Sequence, residues 1–315
     1  MQSLFKKSFF FLLLAVSAVS INASKLNVVT TLPSLASLTR NLGGDKVEVF
    51  SITRGVQDAH YIEAKPSYML KLNKADLLIY SGLELEIGWL PLLIQGARNS
   101  DVIPGGRGHL NASSALQQDK LLEKVHGGVD RSMGDVHPAG NPHFLLNPHN
   151  TVDVCYLIAD KLIELDPGNA GYYESRLENY VANLETKIAE LDSVASILKG
   201  KEVVCYHRHW SYLCDWLGID IAGYIETKPG IPPTPRHKME TIKMMKRKEI
   251  KFVIISSWKD PQKAQEVANA VGADLIVLPG EADAVPGTED YFNWMEYMVN
   301  QLTKTAQKYY AVNTK

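Results

Sequence analysis

The chain has 315 residues, of which 45% are hydrophobic and 22% are charged. This composition is typical of a globular protein, and the length allows two domains that each bury a core. The formal net charge of −2 gives no electrostatic reason to expect nucleic acid or an anionic lipid surface as a partner.

The first 24 residues have the pattern of a secretory signal peptide. Lys6 and Lys7 form a short basic region, an apolar stretch covers 8–20, and Ala23 fits the last position before a cleavage site. The apolar stretch is too short to cross a bilayer, although an uncleaved anchor is the alternative. We therefore expect an exported mature chain that begins near residue 25 and does not insert into a membrane.

Short β-type runs alternate with helical patterns over residues 25–167. Such alternation is typical of a parallel sheet that is covered by helices, and it predicts an N-terminal α/β lobe. The predicted strands are 26–31, 47–52 and 76–82, and the predicted helices lie near 33–43, 66–74 and 88–98. The stretch 104–142 has weak structure signals and is predicted to be a surface loop.

Residues 168–199 contain the most regular pattern in the chain. The apolar positions recur every three or four residues, at Leu177, Val181, Leu184, Ile188, Leu191, Ala195 and Leu198. They predict one helix from about Asn169 to Leu198, with Gly200 as its stop. A coiled-coil dimer is the alternative, but three heptads between two lobes favour a rigid linker helix within a monomer.

Residues 200–315 repeat the first arrangement, so the predicted fold is α/β with two similar lobes joined by one long rigid helix. The predicted strands are 202–207, 219–225, 251–257 and 274–279, and the predicted helices are 209–217, 236–248, 261–271 and 290–309. Cys155 is predicted to be buried in a helix, and Cys205 and Cys214 could form a disulfide.

Three histidines and two acidic residues follow predicted strands or precede predicted helices. His60 follows the second strand, His143 precedes a helix, and His207 ends the strand EVVCYH. Glu281 and Asp283 follow the strand DLIVLP. Because ligands bind at the carboxyl edge of open α/β sheets, two facing lobes would bring these side chains together. Imidazoles with one carboxylate suit zinc.

Around the same residues the chain resembles the solute-binding proteins of zinc and manganese ABC transporters, the ZnuA/TroA-like group. The resemblance covers almost all of the mature chain. Its distinctive blocks are QDAHYIEAKPS, KADLLIYSGLELEIGWLP, NPHFLLNPHN, YHRHWSYLCDWLGI and YIETKPGIPPTP, in the order in which the family has them.

The resemblance implies that one metal ion is held between the lobes. It assigns the ligands to His60, His143, His207 and Glu281, with Asp283 as the alternative to Glu281 in a loop that lacks the family's usual aspartate pattern. At position 207 zinc binders of the family carry histidine and many manganese binders carry glutamate. His207 therefore favours Zn²⁺, with Mn²⁺ as the alternative.

The function implied by the resemblance is a periplasmic receptor that captures zinc and delivers it to an ABC transporter permease. The resemblance also implies that the chain is not an enzyme. An exported zinc hydrolase is less favoured, because four protein ligands leave no open position for water and the chain lacks H-E-x-x-H and G-x-S-x-G. The family's His-rich insertion is reduced here to His126 and His137, with His109 upstream.

Other residues have weaker assignments. His209 is expected beside the site, or as a replacement for His207, and Glu226 could orient a ligating histidine or only shape a turn. Glu84 and Glu86 are candidates for contact with a partner. The three tryptophans that follow apolar patterns are predicted to be core residues: Trp89, Trp210 and Trp294.

Overall fold

The computed structural model describes residues 25–125, 134, 136–228 and 230–310. The predicted signal peptide lies outside these ranges. Within them, no helix combines the length and the apolar character that a membrane span requires.

The first lobe is built on a parallel sheet. Among the described residues its strands are β1 (Leu26–Thr30), β2 (Val47–Ser51), β3 (Leu77–Tyr80) and β4 (His109–Asn111). They lie in the order β2-β1-β3-β4, and all neighbouring pairs are parallel. The connecting helices are α1 (Pro33–Gly43), α2 (Pro66–Asn73) and α3 (Leu90–Ala97).

The second lobe has the same topology. Its strands are β5 (Glu202–Cys205), β6 (Asp220–Tyr224), β7 (Phe252–Ser256) and β8 (Asp274–Leu278). The order is β6-β5-β7-β8, again with parallel pairs throughout. Its helices are α6 (Ser211–Leu217), α7 (Pro235–Lys248), α8 (Gln262–Val271) and α9 (Tyr291–Tyr310).

Two helices lie between the sheets along the chain: α4 (Pro148–Leu165) and α5 (Ala170–Ala195). The α4 helix begins with a proline at its first turn, and the side chain of Asn147 caps it by accepting a hydrogen bond from the backbone N–H of His149. A short 3₁₀ turn extends α5 to Leu198, and Gly200 then adopts a positive φ of 71°. The predicted linker helix and its glycine stop are therefore confirmed, although the lobe boundaries at 167 and 200 remain predictions.

The α5 helix joins the two lobes through a shared core. It packs against α1 and α4 of the first lobe and against α9 of the second. Leu177, Leu184 and Leu191 on its buried face belong to one hydrophobic cluster that also contains Val28 of β1 and Phe252 of β7. The helix spans roughly 39 Å at 1.5 Å per residue. The two sheets are thus held on one stiff element.

Alternate strand residues face opposite sides of each sheet, as the period of two requires. Val28 contributes to the shared core, whereas Val29 belongs to a second cluster with Trp89 and Leu93. In the second lobe, Val204 faces a third cluster beneath α7 and α8. The strands β3 and β7, which have neighbours on both sides, are buried on both faces, which explains their continuous apolar runs.

Four details differ from the sequence-based predictions or decide between alternatives. The stretch 104–142 is not wholly a loop, because β4 lies in it and pairs with β3; a strand of three residues is too short to give a periodic signal. The helix predicted to begin at residue 209 begins at Ser211, after a 3₁₀ turn.

The cysteines are all buried and free, so no Cys205–Cys214 disulfide is formed. Glu86 is buried and cannot contact a partner.

Truncation of a core residue in α5 tests the shared core. Leu184 is 1% exposed, and we expect Leu184→Ala to lower the free energy of unfolding by about 2–5 kcal/mol. Urea denaturation followed by circular dichroism and by tryptophan fluorescence should show one coincident transition. The neighbouring exposed residue supplies the control, Glu185→Ala, which should change stability by less than about 0.5 kcal/mol. Two separated transitions would show that the lobes do not share a core.

Candidate metal-binding site

Each sheet has a topological switch point where its strand order reverses, between β1 and β3 in the first lobe and between β5 and β7 in the second. Ligands bind in such crevices, at the carboxyl ends of the strands. His207 lies two residues after β5, at the second crevice. At the first crevice, the buried carboxylate of Glu86 accepts hydrogen bonds from the Thr31 hydroxyl and from the backbone N–H of Ser81 and Gly82. These bonds fix the loops that follow β1 and β3.

His60 lies in the loop after β2 and is held by Asp58. The Nδ1 atom of His60 is 2.7 Å from Oδ1 of Asp58, and the His60 side chain is 8% exposed. Burial alone would raise the pKa of the Asp58 carboxyl, but His60 and Lys259 lower this pKa by more, to a value well below its usual range. Because an ionised carboxylate only accepts hydrogen bonds, Nδ1 of His60 carries a proton and Nε2 presents its lone pair.

His207 has the same arrangement in the second lobe. Its Nδ1 atom is 2.7 Å from Oε2 of Glu226, and both side chains are less than a tenth exposed. The backbone N–H of Gly230 donates to the same carboxylate oxygen at 3.0 Å. Glu226 therefore orients His207, which decides between the two roles that the sequence left open for this glutamate.

Lys259 connects these two carboxylates. Its Nζ atom lies 3.2 Å from Oδ2 of Asp58 and 4.0 Å from Oε1 of Glu226. One ammonium group from the loop after β7 thus partly balances the charge of both carboxylates. It also ties the His60 loop of the first lobe to the second lobe.

His143 lies in the turn before α4, where Asn141 accepts a hydrogen bond from its backbone N–H. Burial is the largest influence on its imidazole, and it lowers the pKa well below the usual range. Positive charge on His209, His60, His207 or His137 would lower the pKa further. His143 is therefore neutral at physiological pH and can donate its lone pair to a cation.

The three predicted histidine ligands converge. The ring centroids of His60 and His143 are 5.4 Å apart, those of His60 and His207 are 6.1 Å apart, and those of His143 and His207 are 6.4 Å apart. Imidazoles on one tetrahedral zinc ion have centroids roughly 5 Å apart. Within the described ranges, no group of three or more histidine, cysteine or acidic side chains already has the geometry of a metal site. The rings surround a common point but stand slightly too far apart.

Glu281 is buried behind this cluster. Its Oε1 atom accepts hydrogen bonds from the backbone N–H of Ser34, at 3.0 Å, and of Ala282, at 2.9 Å. Burial raises the pKa of the carboxyl to about 7. Glu281 also lines a cavity of about 20 Å³ together with His143 and His209, which is room for a single small ion or water molecule. The alternative residue, Asp283, is exposed.

His209 is buried beside the site, as one of the sequence interpretations expected. Its ring centroid is 4.1 Å from that of His143. Because its Nε2 donates to the carbonyl of Gly280 at 2.8 Å, that atom has no lone pair for a metal. His209 therefore packs against His143 with Nε2 engaged and its lone pair on Nδ1, and its role as an alternative to His207 stays a prediction. The three tryptophans that were predicted to be core residues are all buried: Trp89, Trp210 and Trp294.

His137, which the sequence patterns did not place at the site, lies against His60. Its Nε2 atom lies 3.1 Å from Nε2 of His60, and its Nδ1 atom is 2.8 Å from the carbonyl oxygen of Leu83. The only sequence signal was its place in the shortened His-rich insertion. His126, from the same insertion, lies outside the described residues.

Comparison with known proteins shows the family of this chain. The family described as zinc-uptake complex component A, periplasmic (ZnuA), matches residues 28–305. The chain belongs to the ZnuA family. Its members are substrate-binding proteins of metal transport systems, and the chain is therefore not an enzyme.

Relatives in sequence are metal transport proteins, and a solved structure has the same fold. The metal ABC transporter substrate-binding lipoprotein ScbA of Streptococcus cristatus is 24% identical over 93% of this chain and 92% of its own. The manganese ABC transporter substrate-binding lipoprotein PsaA of Streptococcus pneumoniae is 25% identical over 91% of each chain. A crystal structure of ZnuA has a TM-score of 0.75 at 21% identity and covers 90% of this chain and 100% of that one. The expected fold of two α/β lobes joined by a long helix is thereby confirmed for this metal-binding, extracytoplasmic family.

The carboxylate of Glu226 should matter for metal binding even though it does not face the site. Glu226→Gln removes the charge that keeps the proton on Nδ1 of His207, so we expect zinc affinity to fall about 10–100-fold. Competition titration with a chromophoric chelator measures this change. As a matched control, Glu240→Gln alters an exposed glutamate on α7 and should leave affinity unchanged. Equal affinities for the two variants would refute the orienting role.

Proposed function

We propose that this protein captures a single zinc ion outside the cytoplasm and delivers it to the permease of an ABC transporter for uptake. His60, His143 and His207 supply imidazole ligands, and Glu281 supplies a carboxylate. The observation that carries the proposal is the matched pair of hydrogen bonds from Nδ1 of His60 and His207 to Asp58 and Glu226. Such partners are the usual means by which proteins orient metal-ligating imidazoles.

Zinc fits the proposed ligands better than harder ions do. Three neutral imidazoles form a borderline-soft donor set, whereas magnesium and calcium require mainly oxygen donors. Manganese is the second candidate, because the relative PsaA is named as a manganese-binding protein. A carboxylate at position 207 would favour manganese, and this chain has histidine there.

The arrangement favours binding and transfer over catalysis. Three imidazoles and a carboxylate complete a tetrahedral shell, which leaves no position for an activated water molecule. The ligands come from both lobes, so separation of the lobes or of their loops would open the shell. We propose that the protein acts as a periplasmic monomer after its signal peptide is removed, and that it releases the ion when it meets the permease.

Removal of single imidazoles tests the proposed ligands. We expect His60→Ala and His207→Ala each to weaken zinc binding by about 100-fold or more, since the loss of a ligand opens the coordination shell. Isothermal titration with a competing chelator should also show one zinc per unaltered chain and weaker binding of manganese. His149→Ala, at the exposed start of α4, is the control and should bind as the unaltered protein does. Unchanged affinity in both ligand variants would eliminate this site, and tighter binding of manganese would overturn the assignment of zinc.

Zinc affinity should also depend on pH. Imidazole ligands bind a metal only when neutral, and burial raises the pKa of Glu281 to about 7, so protons compete with the metal near neutral pH. We expect the apparent affinity to fall as the pH is lowered from about 8 to about 5.5, and most steeply below about 6.5. Titrations at a series of pH values measure the effect. An affinity that stays constant over this range would exclude the imidazoles and this carboxylate as ligands.

A further inference from the structure

His137 approaches the metal-facing side of His60. The two Nε2 atoms are 3.1 Å apart, and the ring centroids are 5.2 Å apart. This separation is shorter than any of those between the three predicted histidine ligands. His137 also lies close enough to His143 to influence its imidazole electrostatically. The ring therefore belongs to the cluster.

The hydrogen bonds of these two rings determine where their lone pairs are. Nδ1 of His137 contacts the carbonyl oxygen of Leu83, which can only accept, so Nδ1 carries the proton. Nδ1 of His60 donates to Asp58 in the same way. In their neutral forms both rings consequently direct unprotonated Nε2 atoms at each other. Two facing lone pairs repel unless a proton or a metal cation lies between them.

The spacing of the two nitrogens suits a shared cation. Zinc binds imidazole nitrogen at about 2.0–2.1 Å, and two such nitrogens in a tetrahedral shell are therefore about 3.3 Å apart. The observed 3.1 Å requires only a small adjustment. The carbonyl of Leu83, meanwhile, orients His137 much as Asp58 and Glu226 orient His60 and His207.

We propose that His137 is a direct ligand of the captured cation, so that the ion is held by the four imidazoles of His60, His137, His143 and His207. This inference rests on the proposed function, because it gives the fourth position of the same site to His137 in place of Glu281. It makes His137 and Glu281 alternative fourth ligands. The Oε1 atom of Glu281 accepts hydrogen bonds from Ser34 and Ala282, whereas Nε2 of His137 already stands beside His60.

A shell of four imidazoles has a consequence for the choice of ion. Nitrogen donors alone favour zinc over manganese more strongly than a shell that includes a carboxylate does. His137 therefore acts as a specificity-determining residue for the site. If the His137 ring moves away from the ion, Glu281 can take the fourth position. The coordination shell then contains one oxygen donor.

The test compares the unaltered protein with His137→Ala, Glu281→Gln and the double variant. X-ray absorption spectroscopy of the zinc-loaded proteins counts imidazole ligands, and chelator competition measures affinity for zinc and for manganese. We expect four imidazoles in the unaltered protein and three in His137→Ala. We also expect a loss of zinc affinity of about tenfold in His137→Ala, a smaller loss of manganese affinity, and the largest zinc loss in the double variant.

His149→Ala serves again as the control, and we expect its spectrum to show four imidazoles and its zinc affinity to be unchanged. The melting temperature of each metal-free variant checks that the fold is intact. A spectrum with three imidazoles in the unaltered protein, or an identical spectrum and affinity in His137→Ala, would overturn this inference alone. If the unaltered protein bound no zinc, the proposed function would fall as well. The two failures are thus distinguishable.

Discussion

The site depends on one type of interaction, a hydrogen bond from Nδ1 of a histidine to a buried acceptor. Asp58 and Glu226 perform this role for His60 and His207, one in each lobe. Each bond fixes both the tautomer and the direction of the ring, so that Nε2 is unprotonated and turned toward the space between the lobes. His209 has the opposite arrangement: its Nε2 atom donates to the carbonyl of Gly280, so its lone pair is on Nδ1.

The fold supplies the rigidity that these bonds require. A parallel sheet ends in a crevice where its strand order reverses, and here two such crevices face each other. The α5 helix connects the two lobes, and its apolar face is buried in a core that both lobes share. Lys259 adds a polar connection, since it contacts Asp58 and also lies near Glu226 across the gap. We therefore expect small movements of loops, rather than a wide hinge, to tighten the cluster around an ion.

Within this frame the cluster is compact but not closed. The histidine rings stand slightly wider than a tetrahedral zinc shell requires, and among the described side chains no complete metal geometry is present. Burial raises the pKa of Glu281, so its carboxyl is partly protonated near neutral pH. A divalent cation would compensate the repulsion of facing imidazole lone pairs and favour the ionised carboxylate. The energetic gain from these changes would help to draw the loops together.

The amino-acid sequence by itself determined the α/β class and the linker helix, because periodic burial is a local signal. It also made His60, His143 and His207 candidate ligands, through their positions near predicted strand ends or helix starts and through the family resemblance. The three-residue strand β4 escaped prediction, since so short a segment has no periodicity, and the buried role of Glu86 could not be inferred from a charged residue in a loop. Tertiary structure alone decided that Glu226 orients His207, that His209 faces Gly280, that Asp283 is exposed, and that His137 meets His60. These facts depend on contacts between residues that are distant along the chain, and side-chain direction across such distances is fixed only when the lobes pack together.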